Sequence, residues 1–218
     1  MATTTAMCTS FKRDLLNGLH HFAQSRTFTA SSSSSQTYTS VSALTGLAVG
    51  QFLSGTNVAS GSRIADILSS TSIFVSKAAT GSISGGTITA VGDTFKLALI
   101  KVGPAGTYGA ASTSYADITG NTDEASGTGY TAGGVALTNV DPSTSSTTAL
   151  TDFTPDPSWT SATFTCTAGM IYNSTQNGPT ANAAVSTHDF AGTQTVTSGT
   201  FTAVMPTADA SNAILRIT

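Results

Sequence analysis

The 218-residue chain carries eight Lys and Arg against eleven Asp and Glu, for a net charge of −3 and a pI of about 5.4. There is no basic stripe to displace counterions from phosphates, so nucleic acid is not an expected partner. No stretch approaches the roughly 20 apolar residues of a membrane helix, so no membrane contact is expected either. Only 9% of residues are charged while Ser and Thr make up about a third, which excludes a helix-rich, charge-coated monomer and points to β-structure in contact with neighbours.

The hydrophobic fraction of 39% and mean hydropathy of +0.12 belong to a folded chain. Its opening, MATTTAMCTSFKRDLL, lacks the basic and apolar regions of a secretory signal, so synthesis and folding in a cytoplasm are expected. Thr9 or Ser10 can cap an amphipathic helix of about three turns, with Phe11, Leu15, Leu16, Leu19 and Phe22 on its apolar side and Lys12, Arg13 and Asp14 outside. Gly18 weakens this helix without excluding it.

Ser31 to Ser35 form a polar run that could be a flexible linker or a stretch held in place by a neighbour. Short apolar segments follow at 48–53, 63–68, 72–76 and 87–91, separated by Gly or Ser-Gly pairs, and predict a small all-β module. DTFKLALIK (93–101) is apolar on both faces, as in a strand covered on each side. A Gly, Ser and Thr-rich loop from Gly103 to Gly134 carries Tyr108, Tyr115 and Tyr130 and is long enough to wrap a sheet or face a partner. Further strands are predicted at 135–140, 148–153, 162–167, 170–173, 184–190, 193–197, 200–205 and 213–217, with turns at Asp156-Pro157 and Met205-Pro206. The fold class expected is all-β, a sandwich or jelly roll with one N-terminal helix.

Signals for chemistry are sparse. His20, His21 and His188 lack the short ligand spacings of a zinc site, and the first two point different ways on a helix. His188 and Asp189 are strand neighbours facing opposite sides, and nothing marks a partner serine. Asp123-Glu124, the only adjacent acidic pair, reads as a solvated turn rather than an acid/base couple. The Gly-rich 127–134 segment precedes a strand and not a helix, unlike a phosphate-binding loop. Cys8 and Cys166 are expected as buried apolar residues or at most one bridge, and Asn173-Ser174-Thr175 as an unused glycosylation match. No catalytic residue, metal or cofactor is expected.

Read in order, MCTSFKRDLLNGLHHF, DTFKLALIK, TDEASGTGYTAGGVALTNV, TALTDFTPDPSWTSATFTCTAGMIYNST and FTAVMPTADASNAILRIT resemble a family of tailed-bacteriophage virion proteins. The resemblance covers the helix and roughly 92–218, and rests on the Gly-rich GTGYTAGG, Trp159, Asp209 and Ile214. This chain departs from that pattern by about seventy residues between helix and DTFK strand, longer than an ordinary loop. Within them, GLAVGQFLSGTNVASGSRIADILSSTSIFVSKAATGS resembles a small β motif of phage fibre and surface proteins.

The resemblance implies a sandwich base of residues 1–25 and 92–218 and an inserted module of 26–91. It also implies a virion protein that cements or decorates the capsid surface, with the major capsid protein as partner. A homotrimer is expected because closed rings hide strand edges and capsid vertices offer that symmetry. Phe11, Leu15, Leu19 and Phe22 are the candidate capsid contacts, set against the alternative that they are the domain's own core, the usual fate of a lone amphipathic helix. The alternative function is a tail or neck fibre recognising host glycans through Tyr108, Tyr115 and Tyr130. A sandwich glycan hydrolase ranks behind both.

Overall fold

Alternation of apolar side chains with Thr and Ser produces strands with one buried face, and it governs most of this chain. The computed structural model describes residues 2–175 and 178–218. In chain order the elements begin β1 (Ala6–Met7), α1 (Thr9–Leu16), β2 (Arg26–Ser33), β3 (Thr37–Tyr38), β4 (Phe52–Gly55), β5 (Ile64–Ser69), β6 (Ser72–Val75) and β7 (Ser82–Val91). They continue with β8 (Phe95–Ile100), α2 (Ala116–Gly120), β9 (Val135–Leu137), β10 (Ser143–Ser145), β11 (Thr148–Thr151), β12 (Ser158–Asn173), β13 (Ala183–Thr202) and β14 (Leu215–Ile217). The fold is all-β, and every pairing between these strands is antiparallel.

Two compact units divide the chain: the residues up to His20 with Thr94–Thr218, and His21–Asp93 between them. The composition-based limits of the middle segment were 26 and 91. In the His21–Asp93 unit, sheets β2-β7-β4 and β3-β6-β5 share one core that includes Phe28, Tyr38, Leu53, Ile73, Val75 and Ile88. Its two ends are clasped: Asp93 N–H donates to the His21 carbonyl at 2.9 Å, and His21 N–H donates to Asp93 Oδ2 at 2.9 Å. Ser31–Ser33 are not a linker. They belong to β2, where Ser32 and Ser33 register against Ile83 and Ser82, and Ser34 turns the chain at φ +58°. The ladder from β7 supplies the order that a serine run cannot supply by itself.

The other unit is built on a five-stranded sheet of order β1-β13-β12-β8-β9, with a second sheet β10-β11-β14. β8 is the covered strand expected from its sequence: Phe95, Leu97, Ala98, Leu99 and Ile100 are all buried. The separate strands predicted at 162–167 and 170–173 are one strand, β12, and those at 184–190, 193–197 and 200–205 merge into β13. Register shifts along the β12–β13 ladder absorb residues with positive φ such as Ser161, Ala191 and Ser198, so the ladder bends where the sequence implied breaks. Trp159, Phe164 and Phe201 pack along its outer half in edge-to-face and tilted contacts, at centroid distances of 5.4 to 6.2 Å.

The N-terminal helix is two turns long, not three. Gly18 at φ +67° ends it, with Gly18 N–H donating to Leu15 and Leu19 N–H donating to Asp14, which leaves Leu19 and Phe22 beyond it. Cys8 rather than Thr9 or Ser10 occupies the N-cap, with no side-chain cap, and Ser10 Oγ donates instead to the Ser112 carbonyl. Phe11 and Asp14 face inward, so Asp14, expected outside, is buried beside Arg13. Leu16, about 140° around the helix from Phe11, is 89% exposed. Phe11→Ala is therefore expected to cost about 3–5 kcal/mol and Leu16→Ser no more than about 0.5 kcal/mol, measured by urea unfolding. Equal effects would overturn this orientation of the helix.

Candidate functional site

The long loop between β8 and β9 is organised by two adjacent carboxylates. Asp123 is fully buried, and its oxygens accept from the N–H groups of Ala105 (2.9 Å) and Gly106 (2.7 Å) and from the Tyr108 hydroxyl (2.6 Å). Lys101 Nζ completes the set at 3.0 Å. Burial by itself would raise the Asp123 pKa, but these donors outweigh it and hold the carboxyl well below the usual range. The same bond and burial push the Tyr108 hydroxyl up to about 12.

Glu124, the only glutamate in the chain, points to another set of donors. It accepts from the hydroxyls of Tyr115 (2.5 Å) and Tyr130 (2.8 Å) and from Gly133 N–H (2.6 Å). Tyr130 Oη in turn accepts from Leu99 N–H, and the Tyr172 hydroxyl donates to the Gly133 carbonyl, so loop and sheet are tied through one carboxylate. The Tyr115 and Tyr172 rings stack at 4.7 Å. Burial, reinforced by Glu124, raises Tyr115 and Tyr130 far above the ordinary tyrosine value. The reading of Asp123-Glu124 as a solvated turn is thus corrected: the donors that desolvated carboxylates require come from seven residues spread over 101–133, a convergence no local pattern discloses.

The candidate contact residues fall in different places. Phe11 and Phe22 are buried, each in its own unit, while Leu15 and Leu19 are half-buried, so the four do not form one exposed face. Of the loop tyrosines, Tyr108 is buried and Tyr115 and Tyr130 are half-buried with their hydroxyls engaged. Asn173 is buried and bonded to His20 Nδ1 at 2.9 Å, so the folded chain offers no glycosylation acceptor there. His21 Nε2 lies 3.0 Å from Arg63 Nη1, whose guanidinium covers the Phe52 ring. Among the described residues no three His, Cys, Asp or Glu side chains converge as a metal site would require. Cys8 and Cys166 are buried free thiols, pushed up to about 11 by burial.

Sequence reasoning missed one contact. Ser186 Oγ lies 2.8 Å from His188 Nε2 on β13. The i, i+2 spacing places both on one strand face and was the available signal, overlooked by looking to Asp189. Among the described residues no carboxylate bonds the other ring nitrogen, so the pair lacks the group that orients a triad histidine. Burial lowers the His188 pKa to about 4. Its ring lines a half-open groove of about 160 Å³ between the main sheet and the returning C-terminal segment. That segment is fastened by carboxylates: Asp156 Oδ1 accepts from Met205 N–H at 2.8 Å and Asp152 Oδ2 from Ile214 N–H at 3.0 Å.

In comparisons with known proteins, the chain matches no family model, no curated protein and no solved structure.

Two outcomes follow from this geometry. Asp123→Ala leaves Lys101, Tyr108 and two backbone donors without their acceptor, and is expected to cost about 3 kcal/mol in chemical unfolding. Unchanged stability would remove Asp123 as the loop's anchor. For His188, the unfolded chain takes up its proton near 6.5 and the folded chain only near 4, so stability falls as pH drops between those values. The loss is on the order of 3 kcal/mol, and the pH–stability curve of His188→Gln should lack it.

Proposed function

We propose that the chain is a non-enzymatic structural protein of a tailed-bacteriophage virion, made in the host cytoplasm and bound to the outer capsid surface as a cement or decoration protein. The observation that carries this reading is the charge-free outer edge of the main sheet. β1 pairs only with Ser186 and Thr187 of β13, and among the described residues no strand pairs with that edge from Phe190 to Thr202, a stretch with no ionisable side chain. Edges of solitary proteins are usually guarded by Lys, Pro or a covering element. An unpaired, charge-free, Thr-rich edge, interrupted by the positive-φ residues Ala191, Gly192 and Ser198, suits a protein whose partner supplies the next strand or surface.

The β5–β6 hairpin of the other unit adds exposed apolar side chains, Leu68 at 51% and Phe74 at 37%. In this reading the sandwich-like base binds the major capsid protein, a homotrimer closes the edges in a ring, and apolar and backbone contacts across capsomer seams resist internal pressure. The exposed Leu16, with half-buried Leu15 on the helix and Leu19 beyond it, replaces the buried Phe11 and Phe22 as the N-terminal segment's contribution. The alternative, a tail or neck fibre reading glycans through the loop tyrosines, draws less support, because the buried Tyr108 offers a sugar no ring face.

Quantitative mass spectrometry of purified virions of the encoding phage tests the reading. A copy number comparable with the major capsid protein is expected. A number matching one ring or a set of fibres would move the protein to tail or neck, and absence from the particle would sink both structural roles.

A further inference from the structure

We propose that the groove between the main sheet and the C-terminal segment is a binding site for a small neutral aromatic molecule bearing one hydroxyl, a ligand of the phenol class. Leu97, Ile171, His188 and Phe190 form its sheet side, and Met205 and Ile214 close it from the returning segment.

Size sets the first limit. A cavity of about 150 Å³ lined by Leu, Ile and Phe accommodates a benzene ring, and this groove has about 160 Å³ with a similar lining. The space has a local cause in Gly169, which registers against both His188 and Leu99. A Cβ there would meet Leu97 Cδ1 at 2.8 Å and Phe190 Cζ at 3.3 Å, so only the missing side chain lets these two walls stand where they do.

Charge sets the second limit. None of the lining residues is Asp, Glu, Lys or Arg, and the one titratable ring is neutral at pH 7, so an ionised ligand would lose its hydration without a counter-charge. A flat apolar ring instead meets the Phe190 ring and the Met205 thioether, both suited to aromatic contact.

Hydrogen bonding sets the third. His188 Nε2 is engaged by Ser186 Oγ, so Nδ1 is the polar atom the imidazole has left for a ligand. Because the serine hydroxyl donates or accepts, Nδ1 is left as acceptor in one tautomer and donor in the other. A hydroxyl satisfies both; a ketone or an ether satisfies only one.

Titration of the full chain with phenol at pH 7, followed by NMR through the His188 and Phe190 ring resonances, the latter serving in His188→Phe, tests the assignment. The expected result is a saturable shift and an affinity for phenol about fivefold above that for benzene, the worth of one net hydrogen bond. His188→Phe should bring that ratio close to one. Ala203→Leu, on the returning segment and therefore tolerant of change, fills the groove and should abolish the shift while the protein stays folded. No saturable shift with phenol, a shift that survives Ala203→Leu, or a phenol-to-benzene ratio unaffected by His188→Phe would overturn the proposal. So would tighter binding of N-acetyltyrosinamide than of p-cresol, which would assign the groove to a peptide side chain.

Discussion

A carboxylate removed from water must be surrounded by donors, and in this chain that requirement organises the largest irregular segment. Thirty-two residues from Gly103 to Gly134 contain one helix of five residues, too little regular structure to hold a loop in place. Asp123 and Glu124 do so by pointing to different donor sets, one gathering the start of the loop and the end of β8, the other its end and the facing tyrosines. The backbone of β8 and the loop are bound further through Leu99 and Tyr130. With so few charges in the chain, two of them are spent on architecture.

The remaining surface reflects that economy. Neutral Thr and Ser dominate the exposed face of β13, and the protection of its outer edge falls to local irregularities: Ala191, Gly192 and Ser198 have positive φ and interrupt the regular ladder. Such bulges limit indiscriminate pairing while leaving the short run Gln194–Val196 regular.

How much of this was legible depended on whether the cause was local. The continuous apolar run of β8 announced a strand covered on both faces, because each side chain reports its own burial. The helix was legible as an element, but not its length or roll: Leu15 and Leu16 are adjacent, so only one can face the core, and tertiary contact made Phe11 and Asp14 the inward pair. Ser31–Ser33 could be a linker or a held stretch by sequence alone, because the neighbour that orders them is β7, some fifty residues away. The acidic pair was misread for the same reason, since its donors lie at no fixed period. Ser186 and His188 were within reach of a period-two argument, but their apolar groove is not, for it depends on a segment that returns from the far end of the chain.

The two cysteines carry a consequence of a different kind. Cys8 and Cys166 have no contact with water, and their pKa values of about 11 leave roughly one thiol in ten thousand ionised at neutral pH. Disulfide exchange and oxidation both proceed through the thiolate, so each sulfur is withheld from solution chemistry by the same burial that makes it a packing residue. The folded chain can therefore pass from a reducing to an oxidising medium with both of these thiols unchanged.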